Sequence, residues 1–225
     1  PPRSTLFPYT TLFRSLYSTL GITEYAKKNY IESHNYLAEG LLFARKSEEV
    51  AKINNLLTNL GSLATELEEF DRAVPYLEEA LNLSQQIGST GYMVHVLMDL
   101  GLSTFQLGET EKGVIYIDEA VATAEEYNDW SLYMHVLIKR AKHYQKLELP
   151  HSSILDWEAI VNLETSDYVW VKEELAAVHW NLTEAYDTLG EPEKAAENAY
   201  KSLELYKNLE SPDQEKVAKW LAERE

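Results

Sequence analysis

The 225-residue chain has no cysteine, which excludes disulfide staples, thiolate nucleophiles and Cys-ligated zinc, and fits a reducing, cytoplasmic setting. Basic residues are scarce: 20 Lys and Arg stand against 37 Asp and Glu, for a formal net charge of −17. A surface of that sign repels phosphate backbones and anionic headgroups, so neither nucleic acid nor a membrane is an expected partner. No apolar run approaches the roughly 20 residues needed to span a bilayer. Chemistry is missing as well. Gly88-Ser89-Thr90-Gly91 only joins two segments, and there is no phosphate loop, no His-Glu-x-x-His pair and no nucleophile elbow. Acidic clusters such as Glu78-Glu79 and Glu125-Glu126 read as solvated helix faces. The chain is expected not to be an enzyme and to need no metal or cofactor.

What the sequence does contain is a repeat. Leu20-Gly21, Leu60-Gly61, Leu100-Gly101, Arg140-Ala141 and Leu182-Thr183 follow one another at spacings of 40, 40, 40 and 42 residues. A fixed period of this size marks a solenoid, in which each unit buries its apolar face only against its neighbours. Within a unit the apolar and small residues fall three, four and seven apart, which is helical periodicity. Leu57, Leu60, Gly61 and Ala64 make one such stripe, and Ala73, Leu77 and Ala80 the next.

Short breakers separate the halves, among them Gly108-Glu109-Thr110 and Gly190-Glu191-Pro192, so each unit is predicted to be a helix, a tight turn and a second helix. Pro150 and Pro192 stand where a second helix begins, a place that tolerates the missing N–H. Asp71 is the expected N-cap of another, which would keep Pro75 in its first turn. The small residues Gly21, Gly61, Gly101 and Ala141, facing Ala73, Gly113, Ser153 and Ala195, predict close antiparallel packing.

With these residues in view, the chain resembles a tetratricopeptide-repeat array with long, about 40-residue units, similar to the repeat regions of large bacterial regulators. The expectation is an all-α, right-handed superhelical solenoid of antiparallel helix pairs: five repeats over 16–209 and a C-terminal capping helix over 210–225, with Val217, Trp220 and Leu221 as its apolar stripe. Units two and three fit the family pattern best, whereas Arg140 and Thr183 depart from it. Residues 5–15 resemble the translation of a sequencing-library adapter, so 1–15 are expected to be non-native.

The resemblance implies that first helices line a concave groove that holds a peptide or protein segment. By register the candidates are Asn55, Asn59 and Ser62, then His95, Met98, Leu102 and Phe105. His135, Lys139, Lys142 and Lys146 follow, and then Trp180 and Asn181. Apolar ligand groups would meet Met98, Leu102 and Phe105, and acidic groups the helix from Lys139 to Lys146. Those lysines could equally pair with neighbouring glutamates. His95 and His135, one period apart, read as a groove polar pair or as two ligands of a shared metal. The functional expectation is a protein-binding scaffold of the signalling-adaptor kind. The alternative is a sensory or regulatory segment of a larger protein with a catalytic or DNA-binding domain.

Overall fold

The structure is a computed structural model that describes residues 7–128, 130–163 and 172–224, with side chains from residue 16 onward. Among these residues there are eleven α-helices and no strand. The chain forms two compact units divided at Leu132/Tyr133. The first holds α1 (Phe7–Ala26), α2 (Tyr30–Lys46), α3 (Val50–Glu66), α4 (Phe70–Ile87), α5 (Thr90–Gln106) and α6 (Thr110–Glu126). The second begins within α7 (Trp130–Lys146) and continues through α8 (Pro150–Leu163), α9 (Lys172–Thr188), α10 (Pro192–Asn208) and α11 (Gln214–Ala222).

The 40-residue period is built from two equal halves. Helices begin at 30, 50, 70, 90, 110, 130 and 150, so a new one starts every 20 residues. Each connection outside 164–171 contains one residue in the left-handed region: Lys28, Glu48, Glu68, Gly88, Gly108, Asn128 and Glu148, then Gly190 and Glu210. There the backbone doubles back onto the carbonyls of the last helical turn, as in Glu49 N–H to Ala44 O at 3.3 Å and Glu69 N–H to Ala64 O at 2.8 Å, the usual way a helix C-terminus satisfies its orphan acceptors. Connections this short leave consecutive helices antiparallel.

The next helix then starts with a carboxylate at its N-terminus: Glu49, Glu69, Glu109 and Glu191 occupy the N-cap of α3, α4, α6 and α10. Each is ion-paired to the Lys or Arg three residues on, as in Glu49–Lys52 and Glu191–Lys194, both 2.7 Å. None bonds the backbone as a side-chain cap, so their contribution is charge against the helix dipole. This corrects the expectation for α4, whose N-cap is Glu69 rather than Asp71. Pro75 consequently lies in the second turn, where its missing N–H leaves the Asp71 carbonyl without an intrahelical partner. Pro150 and Pro192 are the first residues of their helices, as predicted.

Small residues set the distance between paired helices. A Cβ added to Gly21 would lie 2.6 Å from Leu37 Cγ, and one on Gly61 2.5 Å from Leu77. At Gly101 it would lie 2.8 Å from the backbone oxygen of Gly113, so α5 and α6 touch main chain to main chain. The first unit's core fills the spaces on either side with Leu37, Leu56, Leu57, Leu60, Leu77, Val96 and Leu100, all nearly inaccessible. Each such side chain contributes roughly 1.5–3 kcal/mol of burial. In the second unit Ala176, Trp180, Ala199, Tyr206, Val217 and Leu221 form the core cluster beneath α11.

Candidate functional site

In the first unit the helices α1, α3 and α5 stand side by side and are joined by a ladder of polar side chains. Ser18 donates to Asn55 at 2.9 Å, and the Asn55 amide donates to the Tyr92 hydroxyl at 3.0 Å. Asn59 donates to Asn55 at 3.3 Å, Ser62 bonds Asp99, and the Thr65 and Ser103 hydroxyls are hydrogen-bonded at 2.9 Å. Two of the predicted groove residues, Asn55 and Ser62, are therefore spent on holding neighbouring helices together, and Asn59 bonds Asn55 within α3. Such bonds are worth about 1 kcal/mol each, but an unpaired member of the ladder would cost more.

Farther along the same face, His95, Leu102 and Phe105 are half-buried on α5. Met98 is not available there: it is 1% exposed. Its spacing from His95 and Leu102 places it on the right stripe, but α3, α4 and α6 all pack against α5 and leave only a narrow strip open.

In the second unit α7 carries exposed His135, Lys142 and Lys146 with half-buried Lys139. Arg140, which belongs to the same basic run, turns instead toward α8, where its guanidinium grips Asp156 through two bonds of 3.0 and 2.7 Å. His143, buried on this helix, has its pKa lowered, first by burial and then by the Lys146 charge. His95 and His135 belong to different units. Among the described residues no three acidic or imidazole groups are placed to hold a metal.

Two more candidates have partners within the second unit. Trp180 is 8% exposed because α11 lies across it: Trp220 meets it edge-on at 6.3 Å and the Lys216 ammonium sits 4.4 Å from the ring centroid. Two ion pairs, Arg224–Asp187 at 2.7 Å and Lys216–Glu184 at 3.5 Å, fix α11 to α9. Asn181 donates back to the Ala177 carbonyl of its own helix at 2.7 Å.

The sequence reading missed a pair of clefts on the opposite face. In the first unit a space of about 180 Å³ opens between α2, α3 and α4, lined by Tyr30, His34, Leu67, Arg72 and Tyr76. In the second, about 440 Å³ opens between α8, α9 and α10, lined by Glu158, His179, Tyr186, Lys194, Asn198 and Lys201. The two are the same position of the repeat. The larger one has Asn198 where Tyr36, Tyr76 and Tyr116 stand in earlier units, and buried His179 bonds it at 2.9 Å. Burial and the bond to Glu158 raise the pKa of Tyr186 far above the ordinary phenol value, so the hydroxyl stays a donor. Setting the five units under one another at the observed spacing would have exposed this Tyr-to-Asn change.

Comparison with known proteins agrees with the geometry. The sequence pattern described as tetratricopeptide repeat matches residues 55–87, spanning α3 and α4. The α3–α4 pair fits that repeat pattern, and the fold of the chain is tetratricopeptide-repeat-like. The pattern of anaphase-promoting complex subunit 5 matches residues 92–144. No curated protein matches the chain.

Among solved structures, the repeats superpose on BtubC (BKLC) from P. vanneervenii with TM-score 0.71 and 17% identity, covering 88% of this chain and 82% of that one. The Rap conjugation gene regulator of plasmid pLS20, solved in complex with the Phr* peptide, gives 0.69 and 12%, covering 95% and 59%. A signal transduction ATPase with a tetratricopeptide repeat sensor from Pyrococcus horikoshii gives 0.66 and 16%, covering 89% and 31%. At these identities the likeness concerns the fold, and the chain spans little more than half of the Rap regulator.

Proposed function

We propose that this tetratricopeptide-repeat chain is a non-enzymatic interaction module that binds an acidic peptide or protein segment through the exposed basic face of α7. The observation that carries the reading is the separation of roles on that helix. Arg140 is committed to Asp156, whereas Lys142 and Lys146 are exposed one turn apart, a concentration of positive charge in a chain of net charge −17. Two ammonium groups on one helical face suit carboxylates spaced along an extended or helical ligand. Half-buried Leu102 and Phe105 on α5 offer a separate apolar contact surface in the first unit. The Rap regulator's complex with the Phr* peptide shows that a fold of this kind can hold a peptide.

The test is fluorescence anisotropy with a library of labelled acidic peptides across a salt series. Binding should weaken as salt rises above roughly 0.1 M, where the screening length is about 10 Å, and Lys142→Ala/Lys146→Ala should abolish that dependence. Binding that is indifferent to salt and to both replacements refutes the assignment to α7.

A second reading is favoured by the coverage figures. The chain matches 59% of the Rap regulator and 31% of the ATPase, so it also suits the sensor segment of a larger regulator. An effector domain encoded in the same open reading frame would decide for it.

A further inference from the structure

The repeat register identifies one surface where the pattern of burial is broken. On α5 the positions turned toward the preceding helix pair are Val96, Asp99 and Ser103, which are 0%, 2% and 0% exposed. One repeat earlier, on α3, they are Leu56, Asn59 and Leu63; Leu56 and Leu63 are 1% and 2% exposed and Asn59 is half-buried. One repeat earlier again, on α1, they are Leu16, Thr19 and Thr23, and all three are exposed, Leu16 at 49%. Among the described first helices, these side chains are outside on α1.

We infer that the outer edge of α1 and α2 is a docking surface for a further helix pair of the same repeat class, stacked in register. The chemistry of the occupant follows from the next interface along. Leu56 lies against Gly40, with its Cδ2 3.2 Å from where a Cβ would be, so the helix facing Leu16 presents a small residue. Arg45 pairs with Glu79 at 2.6 Å, and Glu39 is the counterpart of Glu79 one repeat earlier and is exposed. The occupant accordingly carries a basic residue there.

A second copy of this chain is a poorer occupant. A net charge of −17 opposes self-association.

The experiment is a duplication that places a second copy of residues 10–49 ahead of residue 10, so that a duplicate Gly40 and Arg45 meet Leu16 and Glu39. Hydrogen exchange in the original α1 is expected to slow by about 10-fold or more relative to the parent chain. Two variants of the longer chain should lose that gain: Leu16→Glu in the original α1 and Gly40→Trp in the added copy. In the parent, Leu16→Glu should leave exchange within about 2-fold. Unchanged exchange in a longer chain whose circular dichroism shows the added helix overturns the inference. So does concentration-dependent dimerisation of the parent that Leu16→Glu abolishes, because the occupant is then a second copy.

Discussion

The two compact units use one repeat frame and fill it with different chemistry. In the first, the residue before the close-contact glycine is Leu60 or Leu100, and its partner column on the second helix is Tyr76 or Tyr116. In the second, the same two places hold Arg140 and Asp156, joined by a bidentate ion pair with Asp156 3% exposed at its side chain. One unit later the tyrosine column becomes Asn198, and its hydrogen-bond partner is His179, standing where Leu57 and Leu97 are found. Each time the tyrosine is lost, a leucine on the facing helix is replaced by a group that can bond its substitute. The lesson is that a polar residue enters such a core only in company, because a lone one leaves a buried donor or charge unsatisfied.

The sharpest way to break the comparison is to split the ion pair. Asp156→Ala leaves the Arg140 guanidinium without its buried partner and should cost about 3 kcal/mol, read as a lowered urea midpoint with hydrogen exchange accelerated in α7 and α8. The double change Arg140→Leu/Asp156→Tyr, which writes the first unit's pair into the second, should restore stability to within about 1 kcal/mol of the parent or exceed it. A double variant as unstable as the single one would show that the two units are not interchangeable at this position.

A smaller effect is expected from the close contacts. Gly101→Ala forces a methyl against the Gly113 backbone oxygen at 2.8 Å and should destabilise by about 1–3 kcal/mol. Gly61→Ala meets the Leu77 side chain, Cγ included, and no backbone atom, so its gain in helix propensity, about 1 kcal/mol, offsets part of the clash. Thermal melts that rank the two in the opposite order would contradict the main-chain contact. The second unit already carries Ala141 and Thr183 in this column, so enlarging it there should matter less.

Smaller again are the connections. Glu48, Glu68, Glu148 and Glu210 adopt positive φ, a conformation that costs a side-chain-bearing residue roughly 1–2 kcal/mol. Replacing one of them with glycine should raise stability by about 0.5–1 kcal/mol, and Gly108→Ala should lower it by a similar amount, both measurable as shifts in chemical denaturation midpoint.

The least effect is electrostatic. The pKa of His143 is lowered in the folded state, so the unfolded chain binds the proton more readily. Stability from this group is therefore unaffected well above the ordinary imidazole value of about 6.5 and is lost as pH falls below it toward the depressed value. Comparing denaturation of the parent and His143→Leu at pH 7.5 and 5.5 should show the parent losing more over that interval.

Much of the fold could be read in advance. The 40-residue spacing, the helical periodicity and the small residues recurring at Gly21, Gly61, Gly101 and Ala141 predicted antiparallel pairs, and the pairs are present. The 20-residue half-period stayed hidden because glutamate, lysine and asparagine occupy most of the left-handed positions, so no glycine pattern marks them. The candidate site was less legible. Spacing alone placed Met98 in the open stripe, yet neighbours on three sides of α5 close over it, and no local pattern announced that α11 would cover Trp180. Lys142 and Lys146 differ from Arg140 only through what lies across from them.

The sequence by itself determined the repeat, its helical halves and the close approach of the paired backbones, because periodicity and residue size are local properties that each unit carries alone. Only the tertiary structure decided which polar side chains remain available to a ligand. Asn55, Ser62 and Arg140 look no different along the chain from Lys142, but the first three find partners 37, 37 and 16 residues away. Whether a side chain faces water or a neighbouring helix depends on what packs against it from other parts of the chain.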